Sequence, residues 1–197
     1  MPAEKRITKE AIVDAALDVL REGGYSSVNA RSVAKKLGCS TQPIYLSFRN
    51  MDELKAALTE RAILEHKRRV LAAISENKGV YSRYCNYGVG FVRFAENEKQ
   101  LFRWLYLEDG QAGPRRDDVL LPQIIQTIVD EYGYSLEIAE KIHKDMTFYS
   151  YGLAILANTG NVVLGDTELF ETFRREFFAL TLIYGKPPKK KLNYEII

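Results

Sequence analysis

The sequence predicts an all-α fold: an N-terminal three-helix domain containing a helix-turn-helix, joined to a larger C-terminal helical bundle. Three observations carry this prediction. Apolar residues recur at steps of three and four along most of the chain, and no stretch shows the alternation of a half-buried strand. Capping residues and glycines punctuate these segments where helices start and stop. The 197 residues, 46% hydrophobic and 27% charged, supply a core without repeats or low-complexity tracts.

Taken in order, Thr8 caps a first helix whose Ile12, Ala15, Ala16, Val19 and Leu20 share a face, and Gly23 with Gly24 stops it. Asn29 caps a second helix carrying Val33, Ala34 and Leu37, with Gly38 where a left-handed C-terminal cap is needed. Ser40 caps a third, from Thr41 to Phe48. Pro43 falls in its first turn, where a missing N–H costs little. A long fourth helix runs from Met51 to about Asn77, with Met51, Leu54 and Leu58 continuing the apolar face. The chain thus divides into a domain at 1–50, with the helix-turn-helix pair at about 29–48, and a linking helix at 51–77.

Residues 78–185 form a second domain dense in aromatic residues, among them Tyr81, Tyr84, Tyr87, Phe91, Phe94, Phe102, Trp104 and Tyr106. Leu107 to Asp118, with Gly110, Gly113 and Pro114, reads as a connecting loop. Helices resume at Val119–Tyr132, Ser135–Asn158 and Asp166–Tyr184. Residues 186–197, with Lys186, Pro187, Pro188 and three consecutive lysines, read as an exposed basic tail.

Several function classes drop out. No apolar run approaches the roughly 18 residues of a membrane span, and the charged start lacks the apolar stretch of an export signal, so a cytoplasmic protein is expected. Cys39 and Cys85 stand far apart with no histidine near them in sequence, and no cofactor or metal is expected. The Glu140–His143 pair, at i, i+3, reads as an exposed helix pair rather than a ligand set. A Gly-rich phosphate loop and a nucleophile elbow are both missing, which argues against an enzyme.

The net charge of +2 says little about partners, but its distribution says more. Between Glu22 and Asp52 there is no acidic residue, whereas Arg31, Lys35, Lys36 and Arg49 fall inside that interval. This suits a surface facing phosphate. A helix-turn-helix presents the N-terminal part of its second helix to the major groove, here Ser40, Thr41, Gln42, Pro43, Tyr45 and Ser47. Gln42 can pair with adenine, Thr41 and Ser47 with several bases or a phosphate, and Pro43 offers an apolar edge to a thymine methyl.

From Ile12 to Leu58 the sequence resembles the tetracycline-repressor-like (TetR) family of bacterial transcription regulators. The resemblance lies in Gly24-Tyr25, in Arg31-Ser32-Val33-Ala34-Lys35-Lys36-Leu37-Gly38-Cys39-Ser40, and in Ile44-Tyr45-Leu46-Ser47-Phe48-Arg49-Asn50-Met51-Asp52-Glu53-Leu54. It implies a homodimer on double-stranded DNA, more often a repressor than an activator, controlled by a small effector bound in the C-terminal domain. By position, Thr41, Gln42 and Pro43 match the family's base-reading residues, Tyr45 and Ser47 its backbone-contacting pair, and Arg31 its phosphate-facing arginine. Met51 stands where members often have a lysine, so Lys55 or Arg49 is expected to take over that phosphate contact.

Two further expectations concern the C-terminal domain. Ile138, Ile142, Met146, Tyr149, Leu153 and Leu156, and then Phe170, Phe173, Phe177, Leu180 and Tyr184, form helix-spaced apolar stripes that want a partner. The family arrangement assigns Ile142, Met146, Tyr149, Leu153, Phe170, Phe173, Phe177 and Leu180 to a four-helix dimer interface. Tyr87, Phe91, Phe94, Trp104, Phe148 and Tyr151 are expected to line a site for an apolar or aromatic ligand, with Arg93 and Arg103 as polar contacts. The alternative reading is a helical protein-binding adaptor on the same fold, without sequence-specific DNA binding.

Overall fold

The structure is a computed structural model in which residues 7–75, 82–107 and 120–185 are described. Among these residues the architecture is all-α, with no strand. The helices are α1 (Lys9–Gly23), α2 (Ala30–Leu37), α3 (Gln42–Ser47), α4 (Met51–Ser75), α5 (Arg83–Asn97), α6 (Lys99–Tyr106), α7 (Leu121–Tyr132), α8 (Leu136–Thr159) and α9 (Asp166–Tyr184). Asn77, Tyr81, residues 108–118 of the loop expected at Leu107 to Asp118, Val119 and the tail 186–197 lie outside the described residues. None of the described helices is long and apolar enough to cross a membrane.

The chain forms two compact units, one of residues 1–66 with 98–114, the other of 67–97 with 115–197. In the first, side-chain chemistry sets each helix boundary. Thr8 Oγ1 accepts the Ala11 amide at 3.2 Å at the start of α1. Asn29 Oδ1 accepts the amides of Arg31 and Ser32, each at 3.0 Å, while Ser32 Oγ accepts the Asn29 amide at 3.1 Å. This reciprocal box satisfies donors that have no partner inside the helix. Gly38 ends α2 at φ +68°, a conformation that L side chains rarely adopt. The core beneath consists of Ile12, Ala16, Leu20, Val33, Ile44, Phe48, Leu54 and Leu58.

The third helix differs from expectation. It begins one residue later, at Gln42, and Thr41 takes the cap position without a side-chain hydrogen bond. Ser40 therefore does not cap it. Thr41 has helical dihedrals, so the chain turns into the helix through its backbone, with Pro43 in the first turn.

The helix α6 packs on α1 in this same unit. Trp104 stacks on Tyr25 with ring centroids 3.4 Å apart, and Lys55 Nζ of α4 stands 4.5 Å from the Tyr25 centroid. Arg21 donates from Nε to Glu98 Oε2 at 3.0 Å and from Nη2 to Glu98 Oε1 at 3.2 Å and Glu65 Oε1 at 3.4 Å. Both carboxylates are buried, and their hydrogen bonds and charge hold the guanidinium protonated against the opposing effect of its own desolvation.

In the second unit α5 is surrounded by α7, α8 and α9. Gly88 makes this close packing possible, because a Cβ there would lie 2.7 Å from Cε1 of Phe173. Asn158 Nδ2 donates to the Ala95 carbonyl at 2.8 Å, joining α8 to α5. Arg93 bridges Glu96, Asp166 and the Leu164 carbonyl.

The apolar stripes of α8 and α9 are used differently from expectation. Ile142, Met146, Phe173, Phe177 and Leu180 are buried within the chain's own second unit. Tyr149 is half-buried with its ring edge on Phe173, and Leu153 and Phe170 are half-buried. The physical reason is α5, whose aromatic side chains cover these stripes from the same chain, with Tyr84 against Phe177 at 5.5 Å between centroids. Likewise His143 is buried rather than exposed, and its Nδ1 lies 3.0 Å from the Tyr84 hydroxyl.

Candidate nucleic-acid interface

The turn between α2 and α3 is held by backbone hydrogen bonds from Gly38 N to Lys35 O at 3.2 Å and from Cys39 N to Ala34 O at 3.0 Å. It leaves α3 anchored on one side only. Ile44 points inward, 1% exposed, and Phe48 closes the helix against the core. The opposite face is open to solvent: Ser40 and Gln42 are exposed, Tyr45 is 56% exposed, and Thr41, Pro43 and Ser47 are half-buried. Tyr45 is thus not a core residue.

Cations flank this face. Arg31 and Lys35 are exposed on α2, and Arg49 is exposed just beyond α3. Lys36 is also exposed but bonded to Glu22, which raises its pKa. Two acidic side chains bordering the region are already engaged. Glu53 accepts the Arg49 amide at 2.8 Å and Lys9 Nζ at 3.2 Å, contacts that keep its carboxyl below the usual range. Lys55, expected as a phosphate contact, lies over the Tyr25 ring instead, so contacting a phosphate would mean giving up that cation–π contact.

The aromatic set expected to line a ligand site is only partly brought together. Phe91 and Tyr151 meet at 5.1 Å between centroids, and Tyr87 lies beside His143 at 6.1 Å. Phe94 is buried in the same unit. Trp104 belongs to the first unit, where it stacks on Tyr25, and Phe148 is 67% exposed. Arg93 is committed to its ion pairs. Sequence reasoning missed Leu46, which projects from α3 with 79% of its surface exposed. The signal was available: with Ile44 inward, a residue two positions on lies about 200° around the helix.

A capped α2, a left-handed glycine and a short α3 with one free face define a helix-turn-helix protein of the all-α class. Residues 12–58 match the model of the family of bacterial regulatory proteins called the tetR family. Over 72 residues it is 32% identical to the tetracycline repressor protein class D of Escherichia coli, and equally so to that of class H from Photobacterium damsela subsp. piscicida. These matches cover 36% of this chain, and the chain spans 33% of the length of those relatives.

The likeness in fold extends further. A TetR-like transcriptional regulator from Rhodococcus sp. RHA1 superposes with a TM-score of 0.64 at 18% identity, covering 93% of this chain and all of that one. A TetR variant from Acinetobacter baumannii AYE, solved in complex with minocycline, gives 0.55 at 18% identity over 90% of this chain and 96% of that one. The multidrug binding protein EbrR, complexed with imidazole, gives 0.53 at 15% identity over 85% and 93%.

Proposed function

We propose that this protein is a sequence-specific DNA-binding transcriptional regulator, a cytoplasmic repressor that binds a palindromic operator as a homodimer and is released by a small apolar or aromatic ligand. One observation carries the reading: Gln42 and Tyr45 of α3 are exposed with Ser40 of the turn before it, Arg31 and Lys35 are exposed on α2 and Arg49 just beyond α3, and no acidic residue falls between Glu22 and Asp52. Gln42 pairs with a base edge, Thr41 and Pro43 stand beside it, and Arg31 with Arg49 contacts phosphates. Two such helices related by a two-fold axis would stand about 34 Å apart, one turn of duplex.

Support for dimerisation comes from a face other than the buried stripes. Phe148, Ile155 and Leu156 of α8 and Phe178, Leu182 and Ile183 of α9 are all exposed. The Tyr184 hydroxyl donates to Asp145 Oδ2 at 2.6 Å, and Tyr149 meets Phe173, which sets the two helices antiparallel. Each of the two helices thus keeps an apolar side in solvent. Gly152, with open space around its Cβ position, lies in the middle of the α8 part. For the ligand, the support is the aromatic group of Tyr87, Phe91, Phe94 and Tyr151 in the second unit, and the small molecules held by proteins of similar fold.

Selection of bound duplexes from random DNA tests the function. The expected result is a two-fold symmetric site bound with a log–log salt slope of about −5 to −9, for six to ten neutralised phosphates. Salt-insensitive association without sequence preference would overturn it.

A further inference from the structure

We infer that Leu46 is a specificity-determining residue that reads the 5-methyl group of a thymine in the major groove. The inference rests on the DNA-binding reading above and deepens it. Leu46 is 79% exposed, in a helix whose inward positions are filled by Ile44 and closed by Phe48. Among the described residues nothing covers it, although leucine is among the residues that folding usually buries. It lies one helical turn beyond Gln42, on the same open face.

The charge around it selects the occupant. Arg31 and Lys35 are exposed on α2 and Arg49 just beyond α3, and the acid-free run from residue 23 to 51 spans both helices of the motif. This pattern complements a polyanion. Within a duplex, the apolar group that the major groove offers is the thymine C5 methyl. Four residues of helix advance about 6 Å and one base pair about 3.4 Å, so the methyl falls within about two base pairs of the pair read by Gln42.

The test uses the full chain and its selected duplex, with each thymine of a half-site replaced in turn by deoxyuridine, which deletes the methyl alone. Wild-type protein is expected to lose about fourfold in affinity for each methyl at one position per half-site. Leu46→Ala is expected to bind the thymine duplex that much more weakly and to be indifferent to deoxyuridine at that position. Its melting temperature and sedimentation should match wild type, since the side chain is exposed. Wild type insensitive to every replacement, or Leu46→Ala retaining the full methyl sensitivity, overturns the inference while leaving DNA binding intact. A change of oligomeric state in Leu46→Ala overturns it by assigning the residue to a protein contact. Failure to select any duplex removes the DNA-binding reading and this inference with it.

Discussion

Truncating the exposed apolar side chains of α9 separates the proposed dimer from the fold. Leu182 is 69% and Ile183 72% exposed within one chain. Burying a whole leucine or isoleucine side chain contributes roughly 1.5–3 kcal/mol, so covering the exposed seven tenths contributes about 1–2 kcal/mol each. A two-fold interface contains every substitution twice, so Leu182→Ala alone should weaken the dimer by about 2–4 kcal/mol, a factor of roughly 30 to 1,000 in its dissociation constant. Sedimentation equilibrium over a dilution series reads this directly. Thermal unfolding of the monomer should barely change, since the truncated atoms touch little of their own chain. Phe177→Ala supplies the contrast: that ring is 1% exposed and packs at 4.4 Å on Tyr132, so its loss should cost about 3–5 kcal/mol of folding stability. If Leu182→Ala and Ile183→Ala together leave the dimer as tight as wild type, the reasoning that assigns this face to a second copy is wrong.

Asn29→Ala should lower the stability of the first unit by about 1 kcal/mol, measured by chemical denaturation, because two amides of α2 lose their acceptor. Arg21→Gln should cost about 3 kcal/mol, since the buried carboxylates of Glu65 and Glu98 lose the guanidinium between them; an unchanged melting curve would refute that role. Burial pushes the Cys85 thiol up to about 11 from 9, which favours its neutral form in the folded chain. Its contribution is complete below pH 9 and disappears as pH rises to 11, a loss of about 3 kcal/mol that Cys85→Ser should reduce in pH-dependent unfolding. Gln42→Ala should relax preference at one base pair at a cost of about 1–3 kcal/mol, whereas Arg31→Ala should weaken all sites alike. Binding measured on matched and mismatched duplexes distinguishes the two.

The first unit was legible because its signals are local. Thr8, Asn29 and Gly38 act within four residues of where they stand, and a cap or a positive φ is a property of a short segment. The failure at Ser40 belongs to the same scale: with Thr41 helical, the backbone itself makes the turn and the hydroxyl has no amide to receive. Trp104 shows the opposite case. With its neighbours Phe102 and Tyr106 it was expected in the aromatic second domain, yet α6 belongs to the first unit and the Trp104 ring stacks on Tyr25, 79 positions earlier. No periodicity reports a contact of that kind.

Five of the eight residues expected at the interface, Ile142, Met146, Phe173, Phe177 and Leu180, are covered by their own chain for a related reason, which says what a hydrophobic stripe means. A stripe requires something to cover it, but it does not say whether the cover comes from the same chain. On α8 and α9 the positions facing α5, such as Ile142, Met146, Phe173 and Phe177, are buried in the chain's own core, and the residues left over for a partner are the second set beside them. These helices are apolar over more of their circumference than one contact can use. Ala154 and Ala157 are buried while Ile155 and Leu156, between them, are exposed. That alternation within four residues is the mark of a helix with two apolar faces, and a second apolar face kept in water implies a further surface to meet it.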